Sequence, residues 1–122
     1  MENYMPQSDL KGRTKRFALN IINLVEKLPQ KRTTAILGNQ LLRSGTSAGA
    51  NYRAACRIKS TADFISKMGI VEEEVDETIY WMELLLESGL MKLNEVEDLM
   101  KEANELLSIT ISSIKTAKRN RL

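Results

Sequence analysis

The sequence predicts an all-α fold: a single-domain, up-down-up-down antiparallel four-helix bundle. Three observations point there. Ala, Leu, Ile, Glu and Lys dominate, and 122 residues contain only two prolines, Pro6 and Pro29. Apolar residues recur at three- and four-residue spacing along four segments. The connections between those segments are short, so consecutive helices are expected to lie antiparallel as neighbours. A chain of this length buries a core without staples. Residues 1–7 are expected to form a flexible N-terminal arm and residues 8–122 the bundle.

The first helix should begin near Ser8 or Asp9, both good caps, and end at Leu28 before Pro29. Phe17, Ile21, Leu24 and Leu28 share one of its faces. After the loop 29–32 a second helix is expected from Thr33 or Thr34, with Leu37, Leu41, Ser44, Ala48, Asn51 and Ala55 in register. Ser60 or Thr61 should cap the third, whose stripe reads Phe64, Met68, Val71, Val75, Ile79, Met82 and Leu86. Ser88 and Gly89 stop it, the glycine taking the position just past the helix end. Asn94 is expected to cap the fourth, with Glu95, Glu97 and Asp98 in the turn where the macrodipole favours acids. Its stripe is Val96, Leu99, Ala103, Leu106, Thr110, Ile114 and Ala117.

Histidine is absent. The commonest general base, nucleophile activator and metal ligand go with it, so no enzymatic activity, cofactor or metal site is expected. The lone Cys56 has no histidine to activate it and no second cysteine to pair with, which fits a reducing, cytoplasmic setting. Glu72, Glu73, Glu74, Asp76 and Glu77 lack the Glu-x-x-His partners of a carboxylate-bridged bundle metal site. No secretory leader pattern is present, and no apolar run approaches the roughly 20 residues that cross a bilayer, so no membrane association is expected.

The second helix is poor in bulk at Gly45, Ala48, Gly49, Ala50 and Ala54, which requires close neighbours. A phosphate-binding loop is a poor reading, because no strand precedes the cluster and no lysine-threonine pair follows. Arg43, Ser47 and Asn51 recur at four-residue spacing and drift from the edge of the core face into it. Two readings follow. In one, a structural polar seam, Arg43 reaches Glu74 or Glu77 on the third helix while Ser47 and Asn51 bond across the gap. In the other, the same residues line a ligand or RNA groove. Paired charges in a tight seam are more often architectural, so the first is preferred.

These residues also carry a resemblance. Arg43, Ser47, Asn51, Tyr52 and Arg53, then Asp63, Phe64, Ile65, Lys67, Gly69 and Ile70, then Glu77, Thr78, Tyr80, Trp81, Glu83, Leu84 and Leu85 form a specific combination. It resembles the bacterial four-helix bundle family of 23S rRNA intervening-sequence proteins, also called the S23 ribosomal protein family. Accessory variability proteins of diversity-generating retroelements look like its relatives. The resemblance covers most of the chain. It implies a homopentameric assembly and a non-enzymatic role that touches nucleic acid; in the retroelement relatives the partners are nucleic acid and a reverse transcriptase.

Two further patterns bear on function. Ile70, Tyr80, Trp81 and Leu84 lie off the main stripe of the third helix, and Leu19 and Ile22 lie off that of the first. A tryptophan beside leucine and isoleucine favours a subunit interface. The charges segregate as well. The bundle topology gathers Lys11, Arg13, Lys15, Arg16, Arg53, Arg57, Lys59, Lys67, Lys115, Lys118, Arg119 and Arg121 at one pole, against only Glu2, Asp9 and Asp63. Helix dipoles account for cations at the ends of helices two and four, but disfavour those at the start of helix one. A net charge of +2 can therefore hide a basic face. The expected function is electrostatic binding of RNA or DNA by a homo-oligomer. The rival is an interaction scaffold that docks a protein such as a reverse transcriptase, with nucleic acid incidental.

Overall fold

The computed structural model describes residues 9–121, so the expected arm 1–7 and the alternative cap Ser8 lie outside the described residues. It contains four helices: α1 Leu10–Glu26, α2 Arg32–Cys56, α3 Thr61–Glu87 and α4 Leu93–Arg121. No strand occurs among the described residues. Each helix packs on its neighbours in sequence, and α1 meets α4 to close the four-helix bundle that the sequence predicts. Of these four contacts α2–α3 is the most extensive and α1–α4 the slightest.

The helix ends follow local chemistry, with three differences from expectation. Helix α1 stops at Glu26, two residues before Leu28; the Lys27 and Leu28 amides turn back to the Leu24 and Val25 carbonyls before Pro29. Helix α2 starts earlier than expected. Thr34 is in its third position, where its hydroxyl accepts from the Lys31 amide at 3.0 Å and donates to the Pro29 carbonyl. Ser60 caps α3 by accepting from the Asp63 amide at 3.3 Å. Gly89, at φ +80°, adopts the left-handed conformation that ends α3, and the Met91 amide then reaches the Leu85 carbonyl at 3.0 Å. Asn94 is not the cap of α4 but its second residue; Glu95 reaches back to accept from the Lys92 amide at 2.8 Å.

The core joins the four stripes. Leu10, Phe17, Ile21 and Leu24 of α1 meet Leu41, Ala48 and Ala55 of α2, Met68, Val71, Val75, Ile79, Met82 and Leu85 of α3, and Val96, Ala103, Leu106 and Ile114 of α4. Helix α2 brings its neighbours close because it has glycine where they cross. A β-carbon on Gly45 would lie 2.9 Å from Ile21 Cγ1, and one on Gly49 would lie 3.3 Å from the Thr14 carbonyl oxygen. On the side facing α3, the buried Thr78 hydroxyl donates to Ser44 Oγ at 2.9 Å, and Ser44 donates to the Leu41 carbonyl at 3.3 Å. Those hydroxyls satisfy each other and the backbone, so their burial carries little penalty.

Gly45→Ala should lower stability by about 1 kcal/mol. Overpacking costs about 1–3 kcal/mol, and the better helix propensity of alanine returns up to about 1 kcal/mol. Urea unfolding at an unchanged slope measures the loss. Combined with Ile21→Ala, which removes both crowding γ-carbons, the same change should cost less than the sum of the single changes. Strict additivity would show that the two side chains do not oppose each other.

Candidate nucleic-acid interface

The crossing of α1 and α2 at Gly49 and Thr14 determines what lies beyond it toward the start of α1. Lys11 and Lys15 are one turn apart on α1, and Arg53 and Arg57 one turn apart at the end of α2. Together with Gly12 they line one surface cleft of about 270 Å³. All four side chains belong to exposed residues and make no ion pair among the described residues. Asp9, whose carboxylate lies over Gly12, sits beside this cleft without lining it.

The cations on α4 form a second group. Lys115, Lys118, Arg119 and Arg121 are exposed and unpaired among the described residues. Among the described residues, ion pairs from Arg13 to Glu102 and Glu105 mark where α1 meets α4. Lys115 lies ten residues past Glu105, about 15 Å farther along the helix. The two groups share an end of the bundle at different heights, instead of forming one flat cap. Arg16 and Lys59 are exposed near the first group but do not line the cleft. Lys67 is half-buried on α3.

Arg13 does not belong with the free cations among which the sequence places it. Its guanidinium donates to Glu102 at 2.7 and 3.0 Å and to Glu105 at 2.5 Å, and only 13% of its side chain is exposed. The hydrogen bond to Glu102 holds its pKa further above an already high ordinary value, against the opposing effect of burial. This pair was legible only in part. Arg13 precedes buried Thr14, and Glu102 and Glu105 precede buried Ala103 and Leu106. All three stand at stripe edges, but which edges face each other depends on the crossing geometry.

The polar seam lies between α2 and α3. Arg43 donates to Glu74 at 3.3 Å and to Glu77, and Ser47 donates to Glu74 Oε2 at 3.3 Å. Two details differ from expectation. Arg43 is half exposed, at 49%, so its ion pairs are screened by water. Asn51 does not bond across the gap; its amide donates within α2, to the Ser47 carbonyl and hydroxyl at 2.9 Å. Sequence reasoning passed over the fully buried link between Ser44 and Thr78, although both stand at helical positions facing the partner. One turn beyond Tyr52, Cys56 is exposed. Burial pushes the Tyr52 phenol above its ordinary pKa.

The comparisons with known proteins bear on these residues directly. The family model for 23S rRNA-intervening sequence proteins matches residues 7–112, which span α1, α2, α3 and most of α4. The chain belongs to this family. A solved structure from Bacteroides thetaiotaomicron VPI-5482, described as a protein of unknown function from the S23 ribosomal protein family, is 38% identical. The match covers 87% of this chain and 98% of that one, with a TM-score of 0.81. No curated protein matches the chain. In this intervening-sequence family member, Arg43, Ser47, Glu77 and Thr78, all residues of the recognised motifs, lie together on the α2–α3 contact.

The apolar residues off the main stripes divide into two patches. Leu19 and Ile22 are exposed on α1, while Ile70 and Tyr80 are exposed on α3, which is diagonal to α1 across the bundle. Ile36 on α2 and Leu93 on α4 are exposed too, and sequence reasoning did not single them out. Trp81 is not an exposed anchor. It is half-buried against the core, with its indole N–H buried and unpartnered, and its ring meets Tyr80 edge-on at 5.2 Å. Leu84 is half-buried as well. No helix of the described residues is long and apolar enough to cross a membrane.

The two arginine sites should differ in weight. Arg13→Gln leaves two carboxylates facing a part-buried gap and should cost about 1–2 kcal/mol. Arg43→Ala removes pairs open to water and should cost about 1 kcal/mol or less. Urea midpoints of the two variants give the order directly. A larger loss at Arg43 would mean that its seam is drier than its exposure indicates.

Proposed function

We propose that this family member is a non-enzymatic, homo-oligomeric bundle protein that binds nucleic acid through backbone phosphates at its basic end. One observation carries the reading: exposed cations without acidic partners, among the described residues, are concentrated at one end of a chain whose net charge is only +2. Folding does not require that segregation, and phosphate is the abundant polyanion that rewards it. The family's name refers to 23S rRNA, which makes RNA the first ligand to test. No exposed aromatic platform is found among the cations of the described residues, so binding would be led by the backbone and tolerant of sequence.

The apolar patches support the oligomer. Unlike patches on opposite sides of a protomer suit head-to-tail contacts, in which Leu19 and Ile22 of one copy meet Ile70 and Tyr80 of the next. Head-to-tail contacts form a ring when the rotation between copies closes, and the resemblance to retroelement accessory proteins favours five copies. A ring with its axis along the bundle would gather every basic end on one rim.

Light scattering should find an oligomer near five subunits for the wild type. Tyr80→Glu and Leu19→Glu should each reduce it with helical content intact, because each removes one half of the contact. Mixed together, the two variants keep one good interface between them and should form dimers. A monomeric wild type at micromolar concentration sinks the assembly reading.

Binding is tested by anisotropy with single- and double-stranded RNA and DNA across salt concentrations. The logarithm of affinity should fall linearly with that of salt. Replacing Lys118, Arg119 and Arg121 with Gln should flatten the slope by about 0.7–0.9 for each phosphate no longer neutralised. No binding at roughly 50 mM salt, where phosphate contacts are favoured, would leave the protein-interaction scaffold as the leading reading.

A further inference from the structure

The cleft between α1 and α2 joins two arginines that the end of α2 favours to two lysines that the start of α1 does not. Each helix contributes two like charges one turn apart, Lys11 with Lys15 and Arg53 with Arg57. Like charges at that spacing repel, and Lys11 stands in a first turn where the helix dipole disfavours a cation. The first turn of α1 contains no acid, and the nearest carboxylate is that of the cap residue Asp9, over Gly12. The Gly49–Thr14 approach then brings the two pairs to the walls of one cleft, and the fifth lining residue is Gly12, which adds no side chain. The walls present ammonium and guanidinium donors, with no side-chain acceptor and no apolar side chain. A ligand for such walls must be rich in acceptors and negatively charged.

We infer that Lys11, Lys15, Arg53 and Arg57 form a seat for a single phosphate group. The two arginines can each offer paired donors to phosphate oxygens, while the lysines act as point charges from the opposite wall. The inference takes the source of the phosphate from the proposed nucleic-acid function: an internal phosphodiester or the terminal phosphate of a strand. The cations of α4, farther along the bundle, then act on the rest of the strand as a field. Within the basic end the cleft fixes position and the α4 group adds attraction.

The test compares two changes of equal charge, Lys11→Gln with Lys15→Gln in the cleft and Lys118→Gln with Arg119→Gln on α4. All four side chains are exposed, and circular dichroism checks that both proteins stay folded. The probes are inorganic phosphate, followed by backbone amide NMR, and a short RNA with and without a 5′-phosphate, followed by anisotropy. Phosphate should shift the Gly12 amide in the wild type and not in the cleft variant. The cleft variant should lose about tenfold in RNA affinity at roughly 50 mM salt, the scale of one charge-assisted hydrogen bond, and the α4 variant less. Preference for the 5′-phosphorylated RNA would assign the seat to a terminal phosphate, and equal binding would assign it to the phosphodiester; both support the seat. Equal losses in the two variants, with no phosphate shift at Gly12, overturn it and leave nucleic-acid binding standing. Cleft-dependent phosphate binding without RNA binding keeps the seat and removes the nucleic-acid function. Absence of both removes both.

Discussion

Helices α1 and α2 approach so closely at Gly45 and Gly49 that a β-carbon at either position would crowd Ile21 or the backbone of Thr14. Much of the arrangement follows from that contact. Helix α2 is engaged on two sides, by α1 at its glycines and by α3 through Ser44 and Thr78. Small residues on one side and small hydroxyl residues on the other let a helix of modest bulk occupy a central position. Dispersion contacts fall off steeply with separation, so the absence of side chains is offset by proximity. The same crossing sets the height of α1, and with it where its first-turn lysines fall along α2.

The polar links show how burial sorts interactions of similar appearance. Arg13 and Arg43 both bridge helices to a pair of glutamates. Arg13 lies in the slightest of the four main helix contacts, and only 13% of its side chain is exposed. Its aliphatic stem and its charge both contribute there. Arg43 borders the most extensive contact, where apolar packing and the Ser44–Thr78 link already hold the helices, and its head group remains in water. Charge pairing alone does not rank the two; the surrounding dielectric does.

That distinction explains what was legible in the sequence. The four stripes were readable because burial on one helix face repeats every three to four residues, and Phe17, Leu41, Val75 and Leu106 fall where the period puts them. The Arg43, Glu74 and Glu77 contacts were readable because those residues stand on facing edges of consecutive antiparallel helices. Arg13 was misread as a free cation because its partners lie on α4, 89 and 92 residues away. Trp81 lies off the main stripe yet is half-buried, because an angular projection gives direction without reach; a large ring on the flank of a stripe can fold back onto the core. The cap of α4 was missed because Asn94 is a good cap by type, while the Glu95 carboxylate selects Lys92. In each case a one-dimensional signal was correct about tendency and silent about which neighbour competes for the group.

The charge distribution has the same origin. The cations at the ends of α2 and α4 stand where helix dipoles favour them, so Arg53, Lys118, Arg119 and Arg121 are ordinary features of helix termini. Lys11 and Lys15 have no such account. Their side chains neither fill the core nor pair with an acid among the described residues, and their helix is weakened by carrying them in its first turns. Packing explains why they arrive beside Arg53 and Arg57, since the glycines of α2 admit α1 at that point and, among the described residues, only α1 and α2 line the cleft. Packing does not recover that small cost among the described residues. What the walls offer is side-chain donors alone, and the proposed phosphate seat rests on that chemistry.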